Sequence, residues 1–311
     1  MATLLSRIEA LLAICDRLIR EMDFTPFQDK SRALLTIGYE VATQQMTKSC
    51  YDLLASEARA ATFVAVAKGE VPQDVWFRLG RQHTICEGEN VLISWTGTMF
   101  EYLMPVIWMK SYPNTLLDRA VRSAVRAQQS YGMRQRVPWG ISESAHSTQD
   151  PEGVYQYAAF GVPGLALSVI PEKKLVISPY STCLALLVDP PSAVENLMLM
   201  ARKGWLSDYG FYESADYTDS ARGHVLPRKC KVVPVWMAHH QGMSLTSICN
   251  VLHESAFQRW FHAEPVVQAS DLILQERTLR VRPIRDLHPR RVLKFARSFA
   301  KRPMKPRAAS A

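Results

Sequence analysis

The six cysteines of the 311-residue chain, Cys15, Cys50, Cys86, Cys183, Cys230 and Cys249, stand far apart, and no two share a C-x-x-C spacing. That excludes a zinc ribbon or a dithiol redox motif and leaves free thiols, the form kept by a reducing compartment. No apolar run approaches the roughly 20 residues of a membrane span. The N-terminal MATLLSRIEALLAICDRLIREMDF carries charges throughout, so neither a signal peptide nor a transmembrane helix is expected. There is no G-x-G-x-x-G after a strand, no P-loop, no G-x-S-x-G and no H-E-x-x-H. The common nucleotide-binding, serine-hydrolase and zinc-protease chemistries therefore lack their signatures, and neither a cofactor nor a metal is expected.

Charge is present but uneven. From Glu276 onward twelve Lys/Arg face two Asp/Glu, a charge of +10, so the other 275 residues carry about −2 of the net +8. Clustered Lys/Arg can neutralise phosphates of nucleic acid or anionic lipid. Pro283, Pro289, Pro303 and Pro306 break any long helix there. Residues 278–311 are accordingly read as a solvated, disordered basic tail, with nucleic acid not expected as a partner.

Helical periodicity dominates the rest. Leu4, Leu5, Ile8, Leu11, Leu12 and Leu18 predict an N-terminal helix over residues 1–22, leading into a domain over 23–277. Further helices are predicted at YDLLASEARAATFVAVAKG ending at Gly69, at EVPQDVWFRLGR, at MFEYLMPVIWM and at TLLDRAVRSAVRAQQSYG with Gly132 after its end. SPYSTCLALLV, PPSAVENLMLMARKG, WMAHHQGMSLTSICNVL and VVQASDLILQERTL continue the series, with ENVLISW as a strand or extended loop. Residues 133–176 lack clean periodicity and are rich in Gly, Pro, Tyr and Ser. Many helices joined by long aromatic loops predict an all-α layered fold with functional loops at one end.

Three segments combine a carboxylate with aromatics and glycines: SWTGTMFEYLMP with Glu101, VPWGISESAHS with Glu143, and YGFYESADYTD with Glu213 and Asp216. Sugars are held by aromatic faces against their C–H side and by charged groups on their hydroxyls. Trp95, Tyr102, Trp139, Tyr155, Tyr157, Phe211, Tyr212 and Tyr217 supply the first kind. Glycosidic-bond chemistry then needs two carboxyls, one an acid and one a nucleophile or base. The plainer alternative is that these glutamates cap helices or pair with arginines.

The strings CYDLLASEARAA, DVWFRLGR, SWTGTMFEYLMPVIWMKSYPNTLL, VPWGISESAHS, YQYAAFGVPGLAL, YGFYESADYTD, WMAHHQGMSL and FHAEPVVQASDLILQER occur in this order. Together they resemble the glycoamylase-like domain of cyclic β-1,2-glucan synthases. The resemblance implies an (α/α)6 toroid of paired helices with a sugar-binding cleft; fewer than twelve helices are legible, so its N-terminal part is expected to be incomplete. It implies transglycosylation closing linear β-1,2-glucan into rings, with hydrolysis of β-1,2-glucan, or glucan binding without catalysis by part of a split synthase, as alternatives. Glu143 and Glu213 carry over as the main catalytic candidates and Glu101 as the third. Asp52 and Glu57 are expected to hold the cleft or the sugar, the alternative being ion pairs with Arg59. The implied partners are β-1,2-glucan and the glucosyltransferase and phosphorylase parts of a synthase on separate chains. The implied location is cytoplasmic, at the inner membrane through those partners. Ala158 stands where the family usually has arginine.

In WMAHHQGMSL two adjacent histidines point about 100° apart on a helix, which does not suit a shared metal. One of His239 and His240 is expected to face the cleft and the other the core, with Gln241 on the glucan-binding wall and Gly242 admitting a close neighbour.

Overall fold

The computed structural model describes residues 2–168, 174–219 and 228–277; the basic tail from 278 lies outside them. Ten α-helices occur among these residues: α1 (Ala2–Glu21), α2 (Arg59–Ala67), α3 (Asp74–Arg78), α4 (Met99–Leu103), α5 (Leu116–Gln135), α6 (Pro179–Ala185), α7 (Pro190–Arg202), α8 (Ala238–Leu252), α9 (Ala256–Phe261) and α10 (Pro265–Ser270). They pack in succession: α4 lies on α5 and α6, α6 on α7 and α8, α8 on α9, and α10 returns onto α2.

Local chemistry sets these elements. At α5, the Thr115 hydroxyl accepts the Asp118 N–H at the helix start, and the apolar stripe of Ala120, Val121, Ala124 and Val125 is buried. Arg122 and Arg126 stay on the polar side, paired with Asp118 and Glu89. The expected stop at Gly132 is corrected: the helix runs to Gln135 and ends at Arg136 in the left-handed region, φ 59°. Gly132 serves packing instead, since a Cβ there would sit 2.7 Å from Cβ and 3.0 Å from Cα of Trp139.

The helix expected from Tyr51 begins only at Arg59. Its first part is strand and loop, while its end at Gly69, φ 73°, is as read. The segment 265–275 is a short helix followed by a 3-10 turn over Asp271–Gln275 rather than one long helix.

Strictly all-α is also corrected, because the loops between helices pair into small antiparallel sheets. Strands β1 (Gln28–Asp29), β2 (Leu34–Thr36) and β5 (Cys50–Tyr51) form one of these sheets, and β3 (Tyr39–Glu40) pairs with β4 (Gln45–Met46). Hairpins join β6 (His83–Cys86) to β7 (Glu89–Leu92), β8 (Ser144–Gln149) to β9 (Tyr155–Ala158), and β11 (Leu206–Ser207) to β12 (Gly210–Phe211). Strand β13 (Ser214–Asp216) lies between β10 (Val176–Ile177) and β14 (Lys231–Val233). The irregular span 133–176 thus hides a hairpin, β8 and β9, whose alternation is masked by polar residues on both faces.

The core is continuous from Leu34 to Leu274 and includes Phe63, Trp76, Met99, Leu103, Leu165, Leu184 and Trp205, all fully buried. One close crossing positions the loops above it. A Cβ on Gly161 would lie 1.8 Å from the Thr96 carbonyl oxygen, so only glycine lets the FGVPG segment lie against the SWTG turn.

Candidate active site

Four glutamates of the loops come together, in two different states. Glu101 lies on α4, where Thr98 and Glu101 form a capping box. Its carboxylate accepts N–H bonds from Thr96 at 3.0 Å and Thr98 at 3.0 Å and is only 6% exposed. Both oxygens are committed to the SWTGT turn. Glu213 precedes β13 and is equally enclosed. It takes the Nδ1 donor of His240 at 3.0 Å on both oxygens and the Ala145 N–H at 3.2 Å.

Glu57 and Glu143 differ, being only partly buried. Glu57 sits in the turn before α2, bonded weakly by the Ser56 hydroxyl at 3.3 Å. The turn is held by Arg59, whose buried guanidinium donates to the carbonyls of Ser56, Glu101 and Tyr102. Burial lowers that guanidinium to about 10. Among the described residues no ion pair joins Arg59 to Asp52 or Glu57; the arginine staples backbone instead.

Glu143, in the loop entering β8, accepts the Tyr157 hydroxyl at 2.9 Å, and its carbonyl accepts the Tyr180 hydroxyl at 3.0 Å. Burial raises the proton affinity of both Glu57 and Glu143. At Glu57 the residue's own backbone N–H lowers it and the charges of Glu101 and Glu143 raise it again, leaving it above the ordinary range. At Glu143 the Tyr157 hydrogen bond and the His240 charge work the other way and the Glu101 charge adds to the rise, so its carboxyl also stays above the ordinary range. Two carboxyls that lie in one field and are tuned by different neighbours, Glu57 by nearby carboxylates and Glu143 also by a tyrosine hydroxyl, can divide the work of an acid and a nucleophile.

The helical offset separates the histidines of α8. His239 is exposed and lowered by burial of its ring and by the neighbouring His240. His240 is 1% exposed and stacked on Tyr180, with centroids 3.6 Å apart and planes 8° apart. Its Nε2 reaches the Tyr157 hydroxyl at 3.5 Å.

Other expected site residues have different tasks. Tyr102 is corrected to a core residue: it is 1% exposed, and its hydroxyl donates to the Leu92 carbonyl at 2.6 Å. Asp216 is 7% exposed and accepts bonds from Ser147 and Thr218. Burial alone would raise its carboxyl, but those bonds outweigh it and hold it below the ordinary range. Gln241 donates to the Phe211 carbonyl at 3.1 Å and fixes the β11–β12 hairpin. Gly242 meets nothing within 4 Å of a built Cβ, so no close neighbour requires it. Trp139 is half-buried against the core, and Asp52 is exposed, offering its carbonyl to Gly80.

Aromatic faces remain available. Trp95 is 56% exposed, Tyr157 42%, and Tyr212 packs on Trp236 at 5.3 Å. Tyr155 is half-buried on β9. Sequence reasoning missed Tyr180 and Trp236; a tyrosine inside an apolar helix and a lone tryptophan before the histidine pair gave no separate signal. It also placed Glu57 in a supporting role. A separate hollow of about 860 Å³, lined by Cys86, Tyr131, Arg134, Phe160, Lys174 and Arg228, contains none of the four carboxylates. No described helix is long and apolar enough to cross a membrane.

Helices carrying acidic, aromatic loops define the class: the glucoamylase-like helical folds. The Chitinophaga pinensis endo-β-1,2-glucanase, solved with sophorotriose and glucose, superposes with a TM-score of 0.64 at 17% identity, over 86% of this chain and 65% of that one. The Parabacteroides distasonis β-1,2-glucanase gives 0.61 at 13% identity, over 84% and 40%.

The chain belongs to the glycoamylase family, whose model, described as "Putative glucoamylase", matches residues 49–265. It is 41% identical over 265 residues to the cyclic β-(1,2)-glucan synthase NdvB of Rhizobium meliloti (strain 1021). That match covers 85% of this chain but only 9% of the synthase.

Proposed function

We propose that this chain acts on β-1,2-glucan by transglycosylation, closing linear chains into rings, with Glu57 as acid/base and Glu143 as nucleophile. The observation that carries the reading is the Glu57–Glu143 pair: partly exposed carboxyls in each other's field, beside the enclosed Glu101 and Glu213. The environment of Glu57 favours its protonated form, which suits donation to the leaving glycosidic oxygen. Glu143, with the Tyr157 hydroxyl donating to it, is the better-supported carboxylate. Attack of Glu143 on the anomeric carbon breaks the glycosidic bond as the Glu57 proton passes to the departing oxygen. A sugar hydroxyl then returns its proton to Glu57 and displaces Glu143, which forms the ring. Trp95, Tyr157 and the Tyr212–Trp236 pair offer faces for glucose units, and His239 a polar edge. Elongation and phosphorolysis would belong to other parts of a synthase, since this chain matches so small a share of the NdvB protein.

The partial exposure of the pair favours a second reading, in which water replaces the sugar hydroxyl and the chain hydrolyses the glucan. Incubation with linear β-1,2-glucan, followed by mass spectrometry and a reducing-end assay, separates them. Rings with a constant number of reducing ends are expected; rising reducing ends would replace cyclisation by hydrolysis. Glu57→Gln and Glu143→Gln are each expected to lower turnover by about a thousandfold or more, a loss that one general acid–base contribution of about 10²–10⁴-fold can account for. Full activity in either variant would remove that residue from the mechanism.

A further inference from the structure

The polar chain that runs from Glu143 inward to the buried His240 and Glu213 is longer than positioning one carboxylate requires. Glu213 binds Nδ1 of His240, His240 places Nε2 at the Tyr157 hydroxyl, and Tyr157 donates to Glu143. The strands and helix that carry these residues lock them: β9 holds Tyr157, α8 holds His240 on the Tyr180 ring, and the Ala145 N–H of β8 steadies Glu213.

We propose that Glu213, His240 and Tyr157 form a proton wire that keeps Glu143 ionised by drawing its proton onto His240, while Glu57 keeps a proton of its own. The inference rests on the roles given above to Glu57 and Glu143. The transfer balances. A proton leaves the Glu143 carboxyl for the Tyr157 oxygen while the hydroxyl proton of Tyr157 passes to Nε2 of His240. The products are a carboxylate and an imidazolium whose Nδ1–H still donates to Glu213. In that state Tyr157 accepts from Nε2 and donates to Glu143, so every proton on the wire has an acceptor. The 3.5 Å contact between Tyr157 and Nε2 is the loosest link, and contacts of this kind tighten when substrate closes a site.

The groups facing the wire fix the direction of its effect. Around Glu143 they are Glu101 on α4, Glu57 before α2, Tyr180 on α6 and Tyr157 on β9; around His240 they are His239 on the same helix, Glu213 before β13, Tyr157 and Tyr180. The Glu101 carboxylate pushes a proton towards Glu143, and Glu213 is the anion placed to hold it on the histidine instead. Glu213 and His240 are thus positioning residues acting through Tyr157.

The test is the titration of Glu143 in the full chain, read by carbon NMR of 13C-carboxyl-labelled glutamate, with the Glu143 signal assigned by its loss in Glu143→Gln. Tyr157→Phe keeps the ring and removes the hydroxyl that links Glu143 to the histidine. It is expected to move the Glu143 titration upward by about one pH unit, because the ionised form loses its donor and its route to the imidazole. His240→Gln is expected to move it the same way, and the double variant to move it no further than the larger single shift, since both cut one wire. Additive shifts, or an unchanged titration in Tyr157→Phe, would overturn the wire. The readout needs no turnover, so an inactive chain or an active Glu143→Gln variant would defeat the proposed reaction and leave this titration to be judged separately. In an active chain, the acid limb of the pH–rate profile rises in Tyr157→Phe while the alkaline limb set by Glu57 stays in place. A loss of packing alone would lower the rate at every pH.

Discussion

Glutamates that look alike in the sequence part company according to what their oxygens already hold. Glu101 and Glu213 have theirs filled by backbone N–H groups and an imidazole, whereas Glu57 has only its own backbone N–H and one weak hydroxyl contact. That leaves Glu57 a charge kept partly from water for the sake of chemistry, and such a charge costs stability. Its carboxyl is raised by burial first and, against the lowering bond from its own backbone N–H, by the neighbouring carboxylates Glu101 and Glu143. A group with a raised folded pKa contributes its stability below the unfolded value, about 4.3 for Glu, and loses it as pH rises through the folded value. Replacing Glu57 by glutamine removes the ionisation and keeps the shape. Glu57→Gln is therefore expected to raise the melting temperature at pH 7 by a few degrees while abolishing turnover, with the gain vanishing near pH 4. Calorimetry at the two pH values checks this. An equal gain at both would mean that the glutamine stabilises for some reason other than charge.

At the scale of elements, α5 holds the loop that delivers Glu143. Gln128 of that helix both donates to the Ile141 carbonyl at 2.9 Å and accepts its N–H at 2.8 Å, and Gly132 lets Trp139 lie flush against the helix. Gly132→Ala gains about 1 kcal/mol of helix propensity. It also forces a Cβ against the backbone of Trp139, and overpacking of that kind costs about 1–3 kcal/mol. Net destabilisation of up to about 2 kcal/mol in a urea melt is expected, together with a fall in turnover as residues 139–143 shift; unchanged stability and turnover would contradict the packing role.

This helix also shows what the sequence could and could not reveal. Its 3.6-residue stripe was legible because it is a local pattern. Its end was misread because a glycine near a helix terminus looks the same whether it caps or packs, and only the tertiary neighbour Trp139 distinguishes the two. ENVLISW, read as a strand or extended loop, does contain β7, but most other strands escaped for a similar reason. Most are two or three residues long and are fixed by their partners, as β13 is by β10 and β14. Glu143 and Glu213 were legible as shaped acidic loops, but the isolation of Glu213 behind His240, and the prominence of Glu57, depend on which loops the fold brings together.

For the molecule as a whole, the strongest sequence pattern and the packed core disagree at one place. The apolar stripe of α1 has the spacing of a buried face, yet Leu4, Leu5, Leu11, Leu12 and Ile19 are each about 60% exposed. The helix is tied to the body through Lys68, whose ammonium donates to the carbonyls of Ile19 and Met22 and pairs with Glu70 at 2.6 Å. Periodicity reports that a helix has an apolar side; it does not report what lies against that side. The core begins beyond it, with Phe24 and Phe27 packed against the buried cluster and the Phe24 N–H bonded to Glu70 at 2.8 Å. Since α1 removes almost no apolar surface from water, it adds almost nothing to the folding free energy. Loss of residues 1–22 should cost no more than about 0.5 kcal/mol, which for a body of this size is a shift of roughly 1–2 °C. Calorimetry of the chain starting at Asp23 is expected to show the melting transition within that margin and with the same cooperativity. A drop of more than about 5 °C would mean that the stripe of α1 has a packing partner in solution, and that the N-terminal helix belongs to the cooperative unit.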